Sequence, residues 1–519
     1  MSGLRKLLQP SCMGVHDVIF ALETHIVLAL LIPLLGAVGI VLTHSAPNIR
    51  ESVTLITAAI LCANVFSILP AILNGLEPAV TLVQILPEVG LVLKVEPLGM
   101  TFACVASSLW IINSIYSIGY MRGNNEAKQT RFYVCFAIAI AATMGVAFSG
   151  NLLTLFVFYE VLTLSTYPLV THKGNADALK GGRIYLGILI STSIGLLLPA
   201  IIWVWSLTGT VDFVKGGILA GHTSALVTGI LLFLFMYGIG KAALMPIHRW
   251  LPAAMVAPTP VSALLHAVAV VKAGVFSVLK VVVYIFGIDF LTETGASEWL
   301  IWVSAYTLVA ASVVALTKDN LKARLAYSTI SQLAYVVLAA GMATSLSITG
   351  GALQIVMHAF GKITLFFCAG AIYTAVHKTE IKDMRGLGRQ MPITFIAFLI
   401  GALSIIGLPP LGGSWSKFYL MIAAAEIDQL WIMAVLLISS LLNIAYLLPI
   451  VARGFFYPPL GQTDEPVAVG YEKSDFSWSN IKEAPFFCVL PPALTAFICL
   501  VLFFLADPIV KMIEPIVTP

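Results

Sequence analysis

Charge is what this sequence has least of. Only 10% of the 519 residues are Asp, Glu, Lys or Arg, against about 25% in an ordinary soluble domain, so water cannot be the main solvent of the folded chain. The net charge is +3 and dispersed, which excludes the clustered basic surface that nucleic-acid binding requires. There is no CxxC pair: the seven cysteines (Cys12, Cys62, Cys104, Cys135, Cys368, Cys488 and Cys499) are scattered, mostly through apolar runs. That spacing argues against a disulfide framework, a zinc site or an iron–sulfur cluster. No cofactor and no metal site are expected, and any redox chemistry belongs to a partner. The first apolar run, from about His25 to Thr43, lacks a small-residue cleavage signature and is expected to remain as a helix.

What is abundant is apolar sequence, 59% of the chain. Each bilayer crossing takes about 20 apolar residues, and about fourteen stretches qualify: 26–43, 52–73, 98–120, 132–149, 151–170, 183–206, 224–254, 259–287, 299–317, 321–342, 349–376, 391–421, 429–452 and 485–506. The chain is therefore predicted to be an all-α polytopic membrane protein. Cytoplasmic loops are enriched in Lys and Arg, and alternate loops here carry Arg122, Lys128 and Arg131, then Lys173, Lys180 and Arg183, then Arg249, then Lys318, Lys322 and Arg324, then Lys378, Lys382, Arg385 and Arg389. The opposite loops hold little more than Lys94 and Lys215. Both termini are accordingly expected on the outer side of a cell inner (plasma) membrane.

Two apolar segments are interrupted. The seventh contains GIGKAALMPIHRWLPAAMVAPTP, with Pro246, Pro252, Pro258 and Pro260, and the twelfth contains GLPPLGGSWSK, with Pro409, Pro410, Gly412 and Gly413. Such residues free backbone groups that lipid cannot satisfy, so the breaks belong inside protein or beside water. A pair of broken helices is the sequence pointer to a transporter built from two repeated halves.

Ionisable residues inside apolar segments cost at least ~2.5 kcal/mol each on insertion scales and are read as functional candidates. Glu160 lies mid-segment in NLLTLFVFYEVLTLSTYPLV, and Lys241 precedes the first break. As the only carboxylate read at comparable depth, Glu160 is the expected partner of Lys241. Two unit charges ~4 Å apart attract by ~4 kcal/mol at an effective dielectric of 20, enough for a pair that holds a proton when closed and releases it when open. His266 and Lys272 are six positions apart and so diverge by about 120° around their helix, whereas His358 and Lys362 are one turn apart and share a face, a relay candidate. Lys417 follows the second break. Lys280 and Lys322 sit near predicted helix ends and are given a modest role, and Glu96, before Pro97, is expected to mark the membrane interface.

Taken together, LMPIHRWLPAAMVAPTPVSALLHA, the FYE around Glu160, DNLKARLAYSTISQL, MHAFGKITLFFCAGAI and GLPPLGGSWSK resemble the antiporter-like, proton-conducting subunits of respiratory complex I and of multisubunit Mrp-type cation/proton antiporters. The resemblance covers about residues 95–425. It implies two inverted five-helix repeats with broken helices 7 and 12, hence a division into 1–131, 132–287, 288–452 and 453–519. It also implies a central hydrophilic axis on which Glu160 and Lys241 form the glutamate–lysine pair. Lys272 or His266 is then the eighth-helix relay, His358 and Lys362 the eleventh-helix relay, and Lys417 the twelfth-helix lysine. Chain length and Lys417 together are most similar to the D subunit of an Mrp-type antiporter, although the N-terminal extension, Met1 to about Glu23, is longer than that resemblance implies. The expected function is proton translocation coupled to sodium exchange, without enzymatic activity of its own, among other membrane subunits; a proton-pumping module of a redox-driven complex is the alternative. Since a hard cation wants several oxygen ligands, the scarcity of carboxylates suits protons better than a sodium site built wholly from this chain.

Overall fold

A computed structural model describes residues 15–86, 89–458 and 481–517. Cys12, the first part of the N-terminal extension and most of the loop after residue 458 lie outside them. Helices dominate: α1 Val15–Leu42, α2 Pro47–Leu73, α3 Pro97–Gly123, α4 Gln129–Ala147, α5 Leu152–Val170, α6 Ala176–Thr208, α7 Ala225–Gly238, α8 Thr259–Phe286, α9 Glu298–Thr317, α10 Leu321–Met342, α11 Ser345–Val376, α12 Pro392–Ile406, α13 Gly413–Glu426, α14 Leu430–Phe456, α15 Phe486–Phe504 and α16 Ala506–Val517. Among the described residues, twelve helices are long and apolar enough to cross a membrane, and two shorter apolar ones, α7 and α12, stand where the interrupted segments were expected. The chain is a multi-pass α-helical membrane protein.

The helices differ in what they face. In its most apolar stretch, α8 or α11 is wholly buried in protein and α10 is 94% buried, whereas α1, α2, α6, α14 and α15 bury only 39%. A helix apolar on all sides and covered on all sides is a central one; of these three, α8 carries His266 and Lys272 and α11 carries His358 and Lys362. Their charges are therefore solvated by the protein interior and not by lipid. The chain closes with α16, an amphipathic helix lying back on the bundle. It buries Met512, Ile513, Ile516 and Val517, exposes an Asp507–Lys511 pair at 2.8 Å, and is pinned where Ser345 Oγ donates to Val517 O at 2.6 Å.

One element departs from the helical pattern. Between α2 and α3 the chain forms an antiparallel hairpin, β1 Ala79–Leu86 and β2 Val89–Lys94. Its β-branched residues (AVTLVQIL and VGLVLK) favour a pleated, half-buried surface. The hairpin also has a seat on the tight α4–α5 turn: Lys94 N donates to Phe148 O at 2.6 Å, Gly150 N to Val92 O at 2.8 Å, and Asn151 Nδ2 to Gly90 O at 2.8 Å. Asn151 is also the N-cap of α5, accepting from Thr154 N.

The α5–α6 turn carries a titratable marker outside the bundle. Arg131 Nη2 donates to His172 O at 3.0 Å. Burial first, then the Arg131 guanidinium, lowers the His172 imidazole to about 4. An unfolded histidine, near 6.5, takes up a proton that the folded turn refuses. The contribution of this turn to stability is therefore full above pH ~6.5 and is lost as pH falls towards 4. A histidine-selective NMR titration is expected to show a His172 midpoint near 4; a midpoint near 6.5 would contradict this packing.

Candidate functional site

The first break starts earlier than the prolines suggest. α7 ends at Gly238, and the chain then runs through short turns at Gly240–Ala242, Ile247–Arg249, Trp250–Ala253 and Ala254–Val256 before α8. Lys241 thus lies inside the break and not ahead of it. Pro246 and Pro252 shape the irregular stretch, while Pro258 caps α8 and Pro260 occupies its first turn. The freed backbone groups are taken up by side chains: Tyr159 Oη accepts from Lys241 N at 3.0 Å, Trp250 Nε1 donates to Gly240 O at 2.9 Å, and Tyr237 Oη donates to Met245 O at 3.1 Å. Gly274 of α8 allows this close approach, since a Cβ there would collide with the Lys241 carbonyl carbon and come within 2.5 Å of Ala242 N.

Lys241 is fully buried, and its ammonium donates to Tyr159 O at 2.7 Å and Thr163 Oγ1 at 2.6 Å, 3.0 Å from the centroid of the Tyr159 ring. The expected ion pair with Glu160 is not formed. Neither Glu160 carboxylate oxygen has a hydrogen-bond partner among the described residues, although both oxygens are buried. The reason is helical geometry: Tyr159 and Glu160 are successive residues on α5 and point ~100° apart, and it is the Tyr159 face that meets the break.

His266 and Lys272 do not meet each other. α8 widens into a π turn at Leu264–Val268, a distortion frequent at functional sites. The His266 ring lies 4.6 Å from that of Phe366, with both nitrogens buried and unpartnered among the described residues. Lys272 crosses to α11, where its Nζ is 2.6 Å from His358 Nδ1. Although His358 and Lys362 are one turn apart, they are not bonded to each other, because Lys362 turns to α10 and donates to Ser328 Oγ at 2.8 Å. At the second break, Pro409 and Pro410 lie in the turn that follows α12. Gly407 adopts φ +88°, with Gly412 as the N-cap and Gly413 as the first residue of α13. Lys417, 5% exposed, donates to the freed Ile406 O at 2.7 Å and to Ser440 Oγ at 3.0 Å. Both breaks therefore place a lysine against backbone or side-chain oxygens, with no carboxylate in contact among the described residues.

Glu96 and Lys280 stand near helix ends, as read from sequence, but they meet each other: both are buried and form an ion pair at 2.7 Å, with Tyr284 Oη donating to Glu96 Oε2 at 3.2 Å and Lys280 Nζ donating to Ser149 O at 2.7 Å. Glu160 is thus not the only carboxylate inside the bundle. Glu51 is a third, buried at one end of α2 and paired with Arg122 and Arg50. A charged residue beside a helix end or a proline reads as peripheral in sequence, and nothing local reveals a partner 184 positions away.

The contact between Lys272 and His358 has a definite chemistry. At 2.6 Å one nitrogen must offer a lone pair to a hydrogen on the other, so an ammonium and an imidazolium cannot face each other here and at least one of the two groups is neutral. One proton shared by two groups from different helices is the elementary step of a relay.

As a class, this is a polytopic membrane protein with two broken helices and with basic groups buried at both breaks and between its central helices. The chain belongs to the NADH:quinone oxidoreductase/Mrp antiporter transmembrane family, whose model matches residues 149–443. It is 28% identical over 458 residues to NADH-quinone oxidoreductase subunit N of Desulforudis audaxviator, covering 86% of this chain and 89% of that one. It is also 32% identical over 346 residues to NAD(P)H-quinone oxidoreductase chain 5 of Synechocystis, covering 62% of this chain and 48% of that protein. The chain thus spans about half the length of such chain 5 relatives. Its fold matches a chain of the Mrp complex from Dietzia with a TM-score of 0.81 at 21% identity, covering 96% of this chain and 97% of that chain. A chain of the archaeal membrane-bound sulfane sulfur reductase matches with a TM-score of 0.80 at 22% identity, covering 94% and 96%.

Proposed function

We propose that the chain is the proton-translocating subunit of a multisubunit monovalent cation (Na+)/H+ antiporter, and that Glu160, Lys241, His266, Lys272, His358, Lys362 and Lys417 form its path. The observation that carries this reading is the Lys272–His358 contact at 2.6 Å, a shared proton site between two buried helices. Family membership and the lysine at each break support it. So does the division into repeats at 132–287 and 288–452, since each half contains one break and one break lysine. Sodium enters the reading through the assembly, with neighbouring membrane subunits supplying the oxygen ligands that a hard cation needs. In this reading both termini face the outer side of the plasma membrane.

A second reading, a proton-pumping subunit of a redox-driven complex with no redox centre of its own, is favoured by the quinone-oxidoreductase names of the curated relatives. Inside-out vesicles holding the native complex separate the two. Proton movement answering a sodium pulse supports the first, and proton movement answering only quinone reduction supports the second. In either case Lys272→Ala and Lys362→Ala are expected to lower the rate at least tenfold, in the range typical of lost proton-transfer groups, with assembly retained. Unchanged rates in both variants would overturn the path.

A further inference from the structure

Lys362 and Lys417 are not in contact, and the polar side chains between them come from α10 (Ser328 and Tyr335) and from α14, which carries none of the charged candidates. On α14, Ser439, Asn443 and Tyr446 share one buried face at i, i+4 and i+7, with Ser440 at its edge. At one end, Ser328 Oγ lies 2.8 Å from both Lys362 Nζ and Tyr446 Oη, and Tyr446 Oη also contacts Asn443 Oδ1. Tyr446 has a single hydroxyl hydrogen. If it goes to Asn443, the Ser328 hydrogen is left for the Tyr446 oxygen, and a directed chain runs from Lys362 through Ser328 and Tyr446 to Asn443. At the other end, Lys417 Nζ donates to Ser440 Oγ at 3.0 Å and sits 4.9 Å from the Tyr335 ring.

Between these ends lie three fully buried polar atoms with no hydrogen-bond partner among the described residues: Asn443 Nδ2, Ser439 Oγ and Tyr335 Oη. The Tyr335 hydroxyl lies near both Ser439 and Ser440 but without hydrogen-bond geometry to either. A buried polar group left unsatisfied costs about 1–3 kcal/mol, and native interiors meet such costs with ordered water that makes 2–4 hydrogen bonds. We infer that Asn443, Ser439 and Tyr335 form a binding site for ordered water that joins Tyr446 to Ser440 and Lys417, making the polar face of α14 the conduit between the two lysines. These residues act as positioning groups: they hold water and orient hydroxyls, and a proton passes along them without a change in their own charge.

The inference rests on the proton-path reading, and its test separates the two. In vesicles holding the native complex, Asn443→Leu fills the site and Ser439→Ala removes one of its polar atoms. Both are expected to slow proton movement about tenfold and to raise the ratio of rates in H2O and D2O, which a purely structural defect would not do. Asn443→Ser leaves room for water and is expected to stay within about threefold of the parent. Density for water within about 3 Å of Asn443 Nδ2 in a high-resolution structure of the complex is the direct observation. If Lys362→Ala stops transport while Asn443→Leu and Ser439→Ala run at the parent rate and isotope ratio, the α14 conduit is wrong and the path stands. If Lys362→Ala is itself without effect, the path reading is wrong.

Discussion

Replacing Lys241 with Ala is expected to cut proton movement by about a hundredfold or more, the range seen when a positioned proton-transfer group is lost, in a complex that still assembles. The second half of that expectation comes from the environment of the side chain. Its acceptors do not depend on it: Tyr159 O also receives the Thr163 hydroxyl at 3.1 Å, and the Thr163 oxygen remains bonded through that donation. Losing the ammonium therefore costs at most the ~1–3 kcal/mol of incompletely satisfied polar groups, set against relief of the cost of burying a cation. Glu160→Gln is the complementary experiment. Because the carboxylate has no hydrogen-bond partner among the described residues, the neutral isostere gives up no contact and should leave thermal stability unchanged. If Glu160 carries charge in the cycle, its transport should nevertheless fall as steeply as that of Lys241→Ala. Normal exchange by either variant, measured in inside-out vesicles, would remove that residue from the path.

What could be read in advance follows from which forces act locally. The apolar segments, their interruptions and the lysines beside them were legible because bilayer thickness sets segment length and because proline and glycine act on their own neighbours. Lys241, Lys272, Lys362 and Lys417 stand out as candidates for the same reason, since a charge within an apolar run is conspicuous wherever it points. Direction was not legible. Whether Tyr159 or Glu160 meets Lys241 depends on the rotation of α5 against the break, and whether His266 or Lys272 reaches His358 depends on a π turn that residue spacing does not announce. The hairpin at 79–94 is hard to read because a short run between two long apolar helices looks like a loop. The α14 face had a readable signal in Ser439, Ser440, Asn443 and Tyr446, but uncharged side chains carry little insertion cost and so drew no notice.

The Glu96–Lys280 pair, which looked peripheral in sequence, supports the second large expectation: Lys280→Met should destabilise the protein by about 3–5 kcal/mol, as removing one partner of a buried ion pair does. Lys280 is sealed among Ser149 O and the rings of Phe213 and Phe276, 4.8 and 5.3 Å from its ammonium. Without it, Glu96 keeps, among the described residues, Gly99 N at 3.0 Å and Tyr284 Oη at 3.2 Å, too little to hold a carboxylate charge out of water. Four parts of the fold converge on this pair. Glu96 caps α3 just after the hairpin, Ser149 is the α4–α5 turn, and Lys280 and Tyr284 belong to α8, so loss of the lysine should loosen that whole end of the bundle. The double variant Lys280→Met with Glu96→Gln removes both charges and is expected to recover most of the loss, since neutral replacement of a buried pair is often close to neutral in stability. Thermal unfolding of the purified protein in detergent reads this directly. A double variant as unstable as the single one would show that the lysine acts through packing and not through its partner. Transport measured on the stabilised double variant then separates two roles that sequence could not: a recovered rate makes the pair a clasp, and a rate still depressed makes Lys280 part of the path.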